Sequence, residues 1–230
     1  IKIETAIAEL RTHEGLREAD IVLLQEMDEV GTRRIADSLQ LNFLYYPATI
    51  NSTNQTFFGN AILSRWPLQN ERKYVLPHPN PHNGGRRIAI SAKIDLGNKT
   101  IRIYNIHSET IVLKGKKRLQ QHAYLAQHLT ENTDTDYLIL GGDFNTFHKR
   151  DLRRSVALFE SIGLQWCTPE LGSTASALGG IIKKQFDHIF VKGFTPLGSG
   201  KNENSEVGDH LPIWTLLKID NSIKVSPASE

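Results

Sequence analysis

The stretch Tyr137-Leu138-Ile139-Leu140-Gly141-Gly142-Asp143-Phe144-Asn145 opens with four apolar residues and closes on two glycines, a carboxylate, an aromatic ring and an amide. The apolar part is too short for a helix and reads as a strand buried on both faces, with Gly141-Gly142-Asp143 leaving its end. In open α/β sheets, ligand sites gather at such ends, because loops converge there while the sheet holds them rigid. The plain alternative is a turn closed by an Asp side-chain hydrogen bond.

Outward from this run, strand and helix patterns interleave. Residues 87–94 and 100–106 are β-rich and flank Gly97-Asn98, a good two-residue hairpin turn. Residues 116–129 predict a helix with Leu119, Ala123, Ala126 and Leu129 inward, and the proline- and glycine-rich residues 77–85 a loop. Further upstream come strands at 60–64 and 43–48, a helix at 30–39, and Ile21-Val22-Leu23-Leu24, a buried strand that ends at Glu26. Residues 3–18 form an amphipathic pattern with Ile3, Ile7 and Leu10 on one face. Downstream, 152–162 predicts a helix, 170–184 a long loop, 186–191 and 213–219 strands, and 222–230 a polar segment expected to fray. The alternation points to an α/β fold with mixed sheets in one domain, residues 1–220, followed by the tail 221–230.

A chain of 230 residues at this composition buries a core without staples, and its single cysteine, Cys167, excludes an intrachain disulfide. The net charge of +2 does not announce a protein that coats nucleic acid, though local basic patches are compatible with it. No run of about 18 apolar residues predicts a membrane-spanning helix. Composition assigns no compartment, and a monomer is expected.

Polar residues sit where strands should end: Glu26, His107, Asp143 with Asn145, Asp187 opening 187–191, and Asp209-His210 before the last strand. Carboxylates, imidazoles and an amide without clustered thiols suit a hard cation, Mg²⁺ or alternatively Mn²⁺, and argue against structural zinc. They also suit phosphodiester hydrolysis, which develops charge on non-bridging oxygens and on a leaving alkoxide. Taken singly, each has a bland reading: a solvated strand end, an Asx turn, a surface ion pair.

Their order and local wording add more. Gln25-Glu26, Asn105-Ile106-His107, Gly142-Asp143-Phe144-Asn145, Asp187-His188-Ile189-Phe190-Val191 and Gly208-Asp209-His210-Leu211-Pro212 resemble the successive signatures of the endonuclease/exonuclease/phosphatase superfamily. Gly59-Asn60-Ala61-Ile62-Leu63-Ser64 is similar to a segment common in its bacterial members. The resemblance implies a four-layer α/β/β/α sandwich with two mixed β-sheets. It implies Glu26 as metal ligand, with Asp209 beside the metal. It implies Asp143 orienting or deprotonating water, Asn145 bonding phosphate and nucleophile, His210 on the scissile phosphate with Asp187 holding its ring, and His107 as in the deoxyribonuclease and sphingomyelinase branches. It also implies a first strand ending in asparagine, which should pair beside Ile21–Leu24. That strand is absent from this sequence, which leads to the expectation of residues upstream of Ile1 in the natural protein.

Three candidates remain for substrate contact: Asn60, Arg87 after Gly84-Gly85, and Arg150 in His148-Lys149-Arg150, which follows Asn145 closely. With Lys114-Gly115-Lys116-Lys117-Arg118 and Arg153-Arg154, the last stretch reads as a phosphate track or as a solvated helix face. The leading expectation is a Mg²⁺-dependent phosphodiesterase acting on nucleic acid. The alternatives are a lipid or inositol phosphate phosphatase or sphingomyelinase-type enzyme on the same fold, and a non-catalytic relative that binds phosphate ligands.

Overall fold

In a computed structural model, residues 2–50, 57–132, 135–177 and 182–220 are described. Helix α1 (Ile3–Thr12), strand β1 (Ile21–Met27), helix α2 (Glu29–Leu39), β2 (Asn42–Ile50) and β3 (Phe57–Ser64) open the chain. The three strands form one antiparallel sheet in the order β1-β3-β2. Then come β4 (Gln69–Val75), β5 (Ile88–Asp95), β6 (Thr100–His107), helix α3 (Gly115–Glu131), β7 (Tyr137–Asp143), helix α4 (Lys149–Glu160) and β8 (Gln165–Trp166). A short hairpin, β9 (Ala175–Ala177) with β10 (Ile182–Lys184), precedes β11 (Asp187–Lys192), β12 (Phe194–Lys201) and β13 (Ile213–Ile219). The second sheet runs β4-β5-β6-β7-β11-β8, with β6 and β7 parallel and the other pairs antiparallel, while β12 pairs with β13.

Three apolar clusters define four layers. One lies between the sheets, with Ile62, Ile90, Ile103 and Val191. Another packs α3 and α4 on the six-stranded sheet through Leu125, Leu140, Phe144 and Phe159. The third packs α1 and α2 on the three-stranded sheet through Ile7, Ile35 and Leu63. The period of two in β6 explains how one strand serves two layers. Ile101 and Ile103 enter the inter-sheet core, and Tyr104 and Ile106 the core beneath the helices. The sandwich is thus the expected one, but only the larger sheet is mixed.

The structure departs from the pattern in five places. In helix α3, Ala123 is exposed and Leu125 is buried in its stead. Helix α1 ends at Thr12 instead of residue 18, because the next turn must pass close to β13: a Cβ at Gly15 would lie 2.2 Å from Trp214 Nε1. Strand β4 was hidden by its polarity, since Tyr74 is its one buried residue on a sheet edge, where charged residues are common. Strand β12 was hidden by Pro196 and two glycines, which an edge strand with a register shift accommodates. The expected loop at 170–184 carries the β9–β10 hairpin, and the tail at 221–230 lies outside the described residues.

Among the described residues β1 pairs only with β3 and β13 only with β12, so each has one open edge. The two strands line a cleft of about 1120 Å³ that continues past Glu26, Asp143 and His210. No helix in the described residues is long and apolar enough to cross a membrane.

Candidate active site

Strand register builds the site. In the ladder, His107 at the end of β6 pairs with Asp143 at the end of β7, and Asp143 pairs with Asp187 at the start of β11. β6 and β7 are parallel and β11 runs against them, so two strand ends and one strand start meet at the same sheet margin. The three side chains share the face that carries Ile103, Ile139 and Val191 deeper in the sandwich, because each lies four positions along its strand from one of these residues. Gly141 lets the sheets close just below this row: a Cβ there would lie 2.7 Å from Leu23 Cδ1.

The other sheet delivers Glu26 through a bulge. Leu24 pairs with Ala61 and Met27 with Gly59, so Gln25 and Glu26 oppose the single residue Asn60. Glu26 takes up the extra length at φ 58°, a left-handed conformation uncommon for a non-glycine residue. Its half-exposed carboxylate lies 3.9 Å from His107 Nε2 and 4.0 Å from Arg87 Nη1. Gln25 Nε2 donates to Asn105 Oδ1 at 2.7 Å, and Asn105 Nδ2 donates to the carbonyls of Leu24 and Ala61 at 2.8 Å each, which ties the sheets together beneath the site.

Asp143 is buried and accepts from Asn145 twice, from its backbone N–H and from Nδ2, both at 2.8 Å. Asn145 also has a left-handed backbone, φ 48°, and donates to the Ser108 carbonyl at 3.1 Å. Strained backbone at both Glu26 and Asn145 is the kind of local cost that functional sites retain. Burial, then the negative charge of Asp187, pushes the Asp143 carboxyl up to about 7, against the pull of His210, the Asn145 N–H and Arg87. His107, 3.4 Å from Asp143, is held well below its ordinary range by burial and then by the positive charges of Arg87 and His210, so it is neutral at pH 7.

His210 faces this row from the loop before β13. Its Nδ1 lies 2.9 Å from Asp187 Oδ2, and Thr174 Oγ1 donates to the same oxygen at 2.6 Å. Burial opposes charge on His210, but the hydrogen bond to Asp187 and the negative charges of Asp187, Asp143 and Asp209 outweigh it and raise its pKa to about 10. A neutral imidazole, a carboxyl that titrates near neutrality and a charged imidazolium thus share one cleft.

The remaining candidates divide. Asp209 is exposed at the rim, beside His210. Arg87 stands behind His107, with Nη1 3.1 Å from His107 Nε2, and its guanidinium lies over the Phe58 ring at 5.1 Å. Asn60 is buried, and its amide donates to the carbonyls of Ile88 and Asn105 at 3.3 Å, so it braces the sheets away from the cleft wall. Arg150 is exposed on α4 and does not line the cleft. Sequence reasoning missed Glu109, which is buried and 3.5 Å from Arg87 Nε, although its position two residues beyond His107 put it on the same strand-face parity. It also missed Thr174, which lay in a Ser/Thr-rich stretch with no distinguishing signal.

Among the described residues no three His, Cys, Asp or Glu side chains converge as a complete metal cage. The half-exposed carboxylate of Glu26 fits the other mode of binding Mg²⁺, in which one or two carboxylates share the ion with water and substrate phosphate.

The family description "Endonuclease/Exonuclease/phosphatase family" matches residues 3–210. Among solved structures, an endonuclease/exonuclease/phosphatase family protein from Leptotrichia buccalis C-1013-b is 19% identical, with TM-score 0.73 over 95% of this chain and 94% of that one. D. rerio TDP2 complexed with single strand DNA product is 15% identical, with TM-score 0.72 over 95% and 93%. The mannosyl-6-phosphatase of Bacteroides thetaiotaomicron VPI-5482 is 18% identical, with TM-score 0.71 over 95% and 91%. No curated protein matches. With the layered fold and the family pattern extending over nearly all of its length, this chain belongs to the endonuclease/exonuclease/phosphatase family.

Proposed function

We propose that the chain is a divalent-cation-dependent phosphodiesterase that acts on nucleic acid. Family membership supports a phosphoester hydrolase, and the DNA-bound neighbour supports the nucleic-acid subtype. The observation that carries the reading is the meeting of the Asp187–His210 pair with the Asp143–Asn145 pair in the cleft that Glu26 borders. Glu26, with Asp209 at the rim, would hold Mg²⁺ or Mn²⁺, which when bound polarises phosphate oxygens and offsets their charge. Asp143, with a pKa of about 7, is suited to orient water and accept its proton near neutral pH. Asn145 holds that carboxyl in place through its backbone N–H and its Nδ2. His210, protonated to about pH 10, is a fixed positive donor for a phosphate oxygen or the leaving alkoxide, and Asp187 fixes its ring. Neutral His107, backed by Arg87, completes the polar wall.

The test pairs the full chain with His210→Ala on plasmid DNA, a short RNA, a phosphoinositide, a mannose 6-phosphate and sphingomyelin, with Mg²⁺ or with EDTA. Nucleic acid should be cleaved with Mg²⁺ only, and the substitution should lower the rate by about 10²–10⁴-fold. Cleavage that survives EDTA or the substitution would refute the mechanism. Turnover of lipid or sugar phosphate alone would replace the substrate class.

A further inference from the structure

The basic stretches at 114–118 and 148–154 are distant in sequence, yet the fold makes them one surface. Asp151 of α4 is buried 3.2 Å from Arg118 Nη2 of α3, and a Cβ at Gly115 would lie 2.6 Å from the Asp151 carboxylate. One turn further, His122 Nδ1 meets Ser155 Oγ at 2.8 Å. The two helices therefore start side by side. Arg118 is buried and turned inward, since it also donates to the carbonyls of Thr110 and Leu113. Lys114, Lys116 and Lys117 on one helix and Lys149, Arg150 and Arg154 on the other remain exposed. The first turn of α3 holds no acidic residue, and that of α4 holds only Asp151, already paired.

This charge pattern works against the helices. Their N-termini favour carboxylates, yet these first turns carry lysines and arginine. A local rule broken at no gain in packing marks a surface kept for a ligand. The surface also adjoins the site. Lys149 lies four residues after Asn145, a span of at most about 14 Å. The Asn145 bond to the Ser108 carbonyl ties the loops that lead to both helices.

We propose that this surface holds the phosphate backbone of a nucleic-acid strand beyond the scissile phosphate. The proposal rests on the phosphodiesterase reading and adds the form of the substrate, a polymer with several phosphates in line. On each strand of a duplex, charges recur about every 3.4 Å of helix axis, so a reach of about 14 Å extends past the scissile phosphate to its neighbours, whereas an isolated phosphoester has no second anion to reach these side chains. Exposed Ile111 and Val112 next to Lys114 make an anionic membrane the competing occupant.

The test compares the full chain with its Lys116→Glu/Lys117→Glu/Lys149→Glu variant. The probes are a short single-stranded oligodeoxynucleotide, bound in EDTA, vesicles of mixed phosphatidylserine and phosphatidylcholine, and bis(p-nitrophenyl) phosphate, hydrolysed with Mg²⁺. Loss of three phosphate contacts should weaken DNA binding about 100-fold at about 0.1 M salt and flatten the log K against log salt slope by about 2. Tm should hold or rise, since glutamate suits a helix start, and turnover of the small diester should stay within about twofold. Unchanged DNA affinity and salt slope, or no DNA binding by the parent chain, would overturn the proposal, as would loss of vesicle binding with DNA binding intact. If the small diester is not hydrolysed at all, the phosphodiesterase reading fails, while the EDTA binding arms still decide the surface.

Discussion

Asp143→Asn is expected to stabilise the metal-free protein above neutral pH while it removes hydrolysis. The buried Asp143 carboxyl titrates at about 7 instead of 3.8, because burial and the charge of Asp187 disfavour its ionised form. At about 1.36 kcal/mol per pH unit, the ionised carboxylate costs the fold on the order of 4 kcal/mol at and above pH 7. Asparagine removes that charge and keeps an oxygen for the Asn145 N–H. Its own amide would then face the donor Asn145 Nδ2, and an unpaired buried group costs about 1–3 kcal/mol. The net gain is about 2 kcal/mol, or about 4–8 °C in Tm for a chain of this length. The sign with pH follows from a folded-state pKa raised above the unfolded one. The Asp143 carboxyl carries no such cost below pH 3.8 and incurs it as pH rises to about 7, so the advantage of the variant is absent near pH 4 and reaches a plateau above pH 7. Melting of both proteins in EDTA across this range is the assay, and Mg²⁺ should raise wild type toward the variant. A variant that melts below wild type at pH 8, or a difference that does not change with pH, would refute the strain assigned to this carboxylate.

Two further outcomes follow from the same geometry. Asp187→Asn removes the main partner of His210, so the imidazolium should lose its proton nearer 6.5 than about 10, and the alkaline limb of the kcat/KM profile should move down accordingly; a limb that stays in place would separate His210 from the rate. Asn105→Ala removes the side-chain donor to the part-buried carbonyl of Leu24 and the buried one of Ala61, and it should cost about 2–4 kcal/mol in denaturant unfolding; a loss below about 0.5 kcal/mol would mean that the amide does not join the sheets.

Much of the fold was legible because its signals are local. Apolar runs such as Ile21-Val22-Leu23-Leu24 and 137–140, each closed by polar residues, mark strands and their ends, and the alternation with helical periods sets the α/β class. The signal failed where tertiary context reverses it. Strand β4 is polar because it is a sheet edge, β12 tolerates Pro196 for the same reason, and α1 stops early because Trp214, two hundred residues away, needs Gly15 bare. The site shows the same division. Residue types at strand ends named Glu26, His107, Asp143, Asn145, Asp187 and His210 as candidates. The parallel register of β6 with β7 and the antiparallel register of β7 with β11 put His107, Asp143 and Asp187 in one row, and the bulge opposite Asn60 turned Glu26 toward it. Tertiary packing also drew Asn60 into the sheet contact, left Arg150 outside the cleft, and buried Glu109 against Arg87. Periodicity and punctuation are properties of a few consecutive residues, so the chain alone determined them. Register, bulge geometry and burial are set by hydrogen bonds and packing between segments far apart in sequence, and only the folded structure decides those.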